Sequence, residues 1–126
     1  ESHWMVESAP TRLDAARQTA ALFAGKTSPT AAVCYNDAVA LGLMLGLYQH
    51  GRRPGHDFAI TGFDDIAEAQ VSMPPLTTLS TVPRERGKQA AALLMQRLQH
   101  PDTPVGHTIA PVKLVVRDSS CPPPAA

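Results

Sequence analysis

The sequence predicts an α/β fold, a parallel sheet flanked by helices. Three observations carry that prediction. Short apolar runs with Val, Ile, Tyr and Phe lie at 31–35 and 58–61, and a β-branched run lies at 76–81, each the length of a strand and too short for a helix. Between the first two lies a helix-length apolar run, 38–48, which begins after Asn36-Asp37 and is stopped by Gly51, Pro54 and Gly55. Strand, helix and strand joined by short loops make a right-handed βαβ unit with parallel strands, and the same alternation precedes it.

Taken in order, residues 3–7 (His-Trp-Met-Val-Glu) read as a strand. Thr11 with Asp14 forms a capping-box pattern with Pro10 just outside it. Leu13, Ala16, Ala20 and Phe23 then recur at helical spacing, and Gly25 closes that helix. Ser28-Pro29 is loop and leads into the βαβ unit. After it, 66–71 reads as one or two helical turns capped by Asp65, which Met73-Pro74-Pro75 cannot continue. Leu76 to Thr81 is a β-branched run and a strand. Pro83 suits the first turn of a new helix, with Glu85 near its positive end. Gly87, Ala91, Leu94 and Leu98 form its apolar stripe, Arg84, Lys88 and Arg97 lie off it, and His100-Pro101 ends it. A loop at 101–107, a last strand at Val112 to Val116 and a Pro-rich disordered tail from Ser119 to Ala126 complete the reading.

Composition removes several classes of function. The 126 residues carry 11 Lys and Arg against 11 Asp and Glu, so there is no basic footprint for gripping nucleic acid. The clusters Arg52-Arg53 and Arg84/Arg86/Lys88 read as solvated faces. No run is long and apolar enough to span a membrane, and Glu-Ser-His-Trp is not a signal peptide. Cys34 sits inside an apolar strand and Cys121 in a Pro-rich tail, settings that predict no disulfide and fit a reducing compartment. The five histidines are scattered without metal-ligand spacing, the serines lack nucleophile-elbow glycines, and there is no Gly-rich phosphate loop. The expectation is therefore a protein without catalysis or cofactor.

The site signal lies at the ends of the βαβ strands. Both strands finish on one edge of the sheet, one in Asn36-Asp37 and the other in Asp64-Asp65. In open parallel sheets ligands bind outside those carboxyl ends. One residue of each pair suffices as a helix cap: Asp65 is expected to cap the short helix, which leaves Asp64 to face the crevice. An Asn offers donors and an acceptor, and a carboxylate accepts from two hydroxyls at once, a pairing suited to a sugar or another polyol. The helix at 38–48 raises a separate question. It has no charged residue between Asp37 and Arg52, and Gly42 and Gly46, four apart, allow close approach. Such a helix needs cover on both sides, from the chain itself or from a second subunit.

Tyr-Asn-Asp (35–37), Ala-Leu-Gly (40–42), Ile-Thr-Gly-Phe-Asp-Asp (60–65) and Pro-Pro-Leu-Thr-Thr (74–78) occur in the order and spacing of the lactose- and galactose-repressor family of bacterial transcription regulators, which the sequence resembles from about Thr11 to Asp118. The resemblance implies a periplasmic-binding-protein-like sheet flanked by helices, present only as a C-terminal fragment of an effector-binding and dimerisation domain. On that alignment 1–80 belong to the C-terminal subdomain, 83–107 cross to the N-terminal subdomain, 112–118 return, and 119–126 are tail. It implies a small-molecule effector, a sugar, contacted by residues matching Asn36, Asp64 and Thr81. An aromatic platform of sugar-binding members falls at Pro10, where this sequence departs from the pattern. It also implies a cytoplasmic homodimer with Ala38, Leu41, Leu45 and Val71 at the interface, and operator DNA bound only through an N-terminal head outside this chain. The alternative is a periplasmic sugar-binding protein of a transporter, which shares the fold; the apolar helix at 38–48 argues against it. A fragment of this kind is expected to have an open sheet edge and a helix at 83–99 without its sheet, to find partners through both, and to bind no sugar tightly.

Overall fold

A computed structural model describes residues 5–25 and 28–120. The chain begins with α1 (Arg12–Gln18), which tightens into a 3-10 turn at Thr19–Phe23. It continues through β1 (Ala31–Val33), α2 (Asp37–Gln49), β2 (Ala59–Thr61), α3 (Ala67–Val71), β3 (Thr78–Ser80), α4 (Pro83–Gln99) and β4 (Lys113–Val115), and a 3-10 turn at Asp118–Ser120 follows.

β1 and β2 pair in parallel, with Ala32 beside Ile60. β3 joins the free side of β2, also in parallel: Gly62 N–H donates to the Thr77 carbonyl and Asp64 N–H to the Leu79 carbonyl, both at 2.9 Å. β4 closes the far side antiparallel to β3, Ser80 facing Lys113. The spatial order is thus β1-β2-β3-β4, three parallel strands and one reversed. Ala40, Leu43, Met44 and Leu47 of α2 bury against Ile60 of β2, against Phe58 and Leu76 in the segments leading into β2 and β3, and against Ala69 of α3. Each of the large side chains among them stabilises the fold by ~1.5–3 kcal/mol relative to exposure. Phe23 meets Phe58 edge to face at 6.1 Å, and the Arg52 guanidinium lies 4.4 Å above the Phe23 ring.

The second cover of α2 comes from the chain itself. Gly42 and Gly46 face α1 and the turn after it so closely that a Cβ on Gly42 would sit 2.8 Å from the Ala15 Cβ, and one on Gly46 2.7 Å from the Thr19 Cβ. Leu45 and Tyr48 remain exposed on a third side, where the Tyr48 hydroxyl donates to the Met73 carbonyl at 2.8 Å.

Four expectations change. Residues 5–7 of the anticipated first strand are irregular and exposed, with no neighbouring strand to pair with among the described residues; residues 3 and 4 lie outside them. The first helix does not run unbroken to Gly25, because Thr19 turns its hydroxyl back onto the Ala15 carbonyl (3.1 Å) and the chain tightens there. Ser119 and Ser120 are not tail: Ser119 is 0 % exposed, accepts from Thr77 N–H at 2.8 Å and donates to the Ile60 carbonyl at 2.7 Å. Residues 121–126 lie outside the described part. Finally, α3 is not capped by Asp65, for a reason that belongs to the site.

α4 buries none of its residues, and Leu93, Leu94, Met95 and Leu98 are exposed. At the opposite edge β1 has no outer neighbour among the described residues, and Val33 is 89 % exposed. Both surfaces match the open edge and the unsupported helix expected from sequence.

Candidate functional site

β1, β2 and β3 deliver their carboxyl ends to one edge. Asn36 follows β1 in extended conformation, and its Oδ1 accepts from Val39 N–H at 2.9 Å, so Asn36 is the cap of α2. Asp37 is therefore released from capping and does something else. It is 0 % exposed; its N–H donates to the Phe63 carbonyl (2.8 Å), its Oδ2 accepts from Ile66 N–H (2.9 Å), and its Oδ1 accepts from the Thr78 hydroxyl (2.5 Å). One buried carboxylate thus ties the end of β1 to the loop after β2 and to β3. A side chain at Gly62 would run into that carboxylate, which is why the strand must narrow there.

Because Asp37 takes the Ile66 amide, α3 needs no cap from its own flank, and Ile66 stands at its N-terminus without a side-chain cap. Asp65 points elsewhere: its Oδ1 receives Arg117 Nη2 at 2.7 Å, with both side chains 16 % exposed. Asp64 and Asp65 have φ of +120° and +57°, the half of conformational space that glycine favours. Such residues cost on the order of 1–3 kcal/mol each and persist only where their surroundings over-determine them.

Asp64 is exposed, and its carboxylate accepts no hydrogen bond among the described residues. With Tyr35, Asn36 and Phe63 it lines an open crevice of about 390 Å³. Asn36 and Asp64 are therefore brought together as the sequence reading required. Thr81, half-buried, follows Ser80, which bridges Asp64 across the sheet; it stands at the same edge but not in the crevice wall. Pro10 is not brought to the crevice. It lines a separate groove of about 1020 Å³ along the free edge of β1, with Val33, Cys34 and Tyr35. Tyr35 alone belongs to both walls.

Tyr35 and Phe63 escaped the sequence reading. Each directly precedes a polar residue that ends a strand, and that adjacency was the available signal. Beneath Tyr35, the Cys34 thiol is pushed up to about 12, first by burial and then by the charge of Asp37. Of the residues matched to a subunit interface, Ala38 and Leu41 are half-buried, Leu41 packed against the core, whereas Leu45 and Val71 are exposed. Among the described residues no three His, Cys, Asp or Glu side chains come together as a metal site, and no helix is long and apolar enough to cross a membrane.

A parallel sheet that presents an amide and a carboxylate in a crevice at its strand ends has the layout of the open α/β folds, in which ligands bind outside the carboxyl ends of the strands. The model of the periplasmic binding protein-like domain matches residues 2–120. A transcriptional repressor of the helix-turn-helix type, PurR of Vibrio vulnificus, is 40 % identical over 91 residues, covering 72 % of this chain and 27 % of the relative. The ribose operon repressor of Haemophilus influenzae is 32 % identical over 117 residues, covering 93 % of this chain and 35 % of the relative. Among solved structures, a LacI family transcriptional regulator from Enterococcus faecium with bound ribose superposes with a TM-score of 0.81 at 30 % identity, covering 91 % of this chain and 42 % of that one. A lac repressor dimer bound to operator and an anti-inducer superposes at 0.81 and 29 % identity, covering 89 % and 39 %. The chain belongs to the periplasmic binding protein-like domain family, in its lactose- and galactose-repressor line. It spans about a third or less of the length of these curated relatives.

Proposed function

We infer that this chain is the C-terminal part of the effector-sensing domain of a DNA-binding transcription regulator, and that its crevice takes a polyhydroxylated small molecule, a sugar. The observation that carries the reading is the meeting of Asn36 and the unpartnered carboxylate of Asp64 in one crevice. A carboxylate accepting from two adjacent hydroxyls, with an amide donor beside it, recognises a sugar edge. Tyr35 and Phe63 supply ring surface next to these groups, which offsets the missing aromatic at Pro10. Thr81 stands at the rim. Two structural neighbours from Enterococcus carry ribose, which makes a pentose the first ligand to try.

Ala38, Leu41, Leu45 and Val71 are assigned to a homodimer face, with Leu45 and Val71 as its outward-facing members. In the intact protein the effector would shift the balance between two arrangements of paired sensors and so change the affinity of attached heads for operator DNA. Such a shift requires that the effector bind the two arrangements unequally. The reported relatives are repressors, which favours a cytoplasmic regulator over a periplasmic transport protein.

The test is a thermal-shift screen of pentoses and hexoses against the full-length protein that carries this chain. One sugar should raise its melting temperature, and Asp64→Ala should abolish that response. A response that survives Asp64→Ala overturns the assignment, as does a full-length protein that responds to no sugar.

A further inference from the structure

We propose that Arg117 is the positioning residue for Asp64: by holding Asp65 in its left-handed conformation it keeps the neighbouring carboxylate turned into the crevice. The proposal rests on the reading of Asp64 as the ligand carboxylate and adds the device that aims it.

Asp64 and Asp65 are adjacent on one turn at positive φ, so a hold on Asp65 constrains the backbone that presents Asp64. Asp65 is the one that is fixed, through the Arg117 Nη2 contact at 2.7 Å. Arg117 is itself immobilised at two further points. Its backbone N–H donates to the Thr77 hydroxyl oxygen at 2.8 Å, and its Nη1 donates to the Leu76 carbonyl at 2.8 Å. The platform behind it is equally tied, since the Ser119 hydroxyl accepts from Thr77 N–H and donates to the Ile60 carbonyl. A guanidinium held this way is a rigid fork and not a mobile point charge. On the other flank, Asp64 N–H is bonded to the Leu79 carbonyl at 2.9 Å and Ile66 N–H to Asp37 at 2.9 Å. The strained pair with φ of +120° and +57° is thus gripped before, after and from the side. The side grip alone comes from the C-terminal segment, fifty-two residues away in sequence. Among the described residues Arg117 also supplies the one guanidinium bonded to a carboxylate of this turn, which carries Asp64 and Asp65 side by side.

The test needs no ligand, so it separates this proposal from the sugar reading. Backbone amide shifts and the amide-to-Hα couplings of residues 64 and 65 are measured by NMR in the wild-type chain, Arg117→Ala, Arg117→Lys, Asp65→Gly, and the double variant Arg117→Ala with Asp65→Gly. Arg117→Ala should move both residues out of their positive-φ signature while the amides of Leu47 and Ile60 stay in place. Asp65→Gly alone should leave the Asp64 signals near their wild-type positions, because glycine adopts a positive φ without an anchor. The double variant should restore the Asp64 signals that Arg117→Ala displaced. A role confined to bracing the Leu76 carbonyl would give no such rescue. If Arg117→Ala shifts Leu47 and Ile60 as well, Arg117→Lys is read instead and should displace Asp64 by a smaller amount with the core amides unmoved. Asp64 signals unchanged in Arg117→Ala or in a folded Arg117→Lys, or displaced in the double variant as far as in Arg117→Ala, overturn the proposal. Failure of the sugar reading would appear separately, as a sugar response that survives Asp64→Ala in the full-length protein.

Discussion

Replacing Gly46 by Ala puts one methyl group into the seam between α2 and α1. That methyl would lie 2.7 Å from the Thr19 Cβ and 2.8 Å from the Ala16 carbonyl oxygen, with the Thr19 hydroxyl oxygen nearer still. Thr19 cannot swing aside freely, because it is 1 % exposed and its hydroxyl donates to the Ala15 carbonyl. Overpacking of this kind costs ~1–3 kcal/mol, and breaking the hydroxyl bond adds ~1 kcal/mol. The better helix propensity of Ala returns ~1 kcal/mol. The net destabilisation is on the order of 1–3 kcal/mol, a fall in Tm of about 3–10 °C for a domain of this size. Circular dichroism melts and urea titrations at one fixed protein concentration measure it. Gly87→Ala in α4 is the matched control: nothing lies within 4 Å of its added methyl, so the same chemical change should stabilise α4. Adding Thr19→Ala to Gly46→Ala should recover part of the loss, as residues in contact are not additive. Gly46→Ala at or above wild-type stability, or strictly additive single changes, would refute the close seam and with it the account of how α2 is covered.

Other outcomes follow from the same structure. Asp37→Ala should destabilise the chain by ~2–4 kcal/mol, since it strands the buried Thr78 hydroxyl and the Ile66 amide; Asp37→Asn keeps one acceptor and should cost less, and chemical denaturation compares the two. Cys34 should resist alkylation at pH 8 in the folded chain and react after unfolding, read peptide by peptide by mass spectrometry. Its thiol is raised to about 12 against ~8.5 unfolded, so above the unfolded value the denatured chain loses a proton that the native chain keeps. Its contribution is whole below that pH and declines as pH rises towards the folded value, at a slope of at most ~1.4 kcal/mol per pH unit; Cys34→Ala should flatten that slope. The exposed stripe of α4 and the free edge of β1 should drive self-association of the isolated chain, and light scattering showing only monomer at high concentration would contradict this. Asp57, whose carboxyl is held well below its usual range by the Arg53 guanidinium and then by His56, should contribute in full above the ordinary carboxylate range and lose that contribution progressively as pH falls from there towards its lower folded value; acid titration of Asp57→Asn checks the sign.

The βαβ unit was legible because each of its boundaries has a local cause. Asn36 caps α2 with its own side chain, and Gly51 and Gly55 take positive φ where the helix must stop and the chain turn. The convergence of Asn36 and Asp64 was legible too, since parallel strands place their ends together whatever the side chains do. What stayed hidden were bonds between residues far apart in sequence. Nothing local distinguishes Asp37 from a second capping residue; its role is set by Thr78, forty-one residues on. Nothing local says that Asp65 turns to Arg117 instead of capping α3, or that Ser119 is buried beneath Thr77 in spite of the proline-rich sequence after it. The expected strand at 3–7 shows the converse: its pattern is suited to a sheet, but its described residues find no neighbour.

The β3–β4 pair has a further consequence for the chain as a path. Ser80 and Lys113 are register partners, so the backbone leaves the sheet and comes back to it at the same point. Everything from 81 to 112, α4 included, is an excursion from a doorway only one strand spacing wide. The segment could lengthen, shorten or be exchanged for another without any strand changing its neighbour. A two-residue hairpin turn would suffice to close the doorway. The sheet, the Asp37 tie and the Arg117 fork would then remain as a smaller, self-contained unit, which makes this the natural place to cut the fold or to graft onto it.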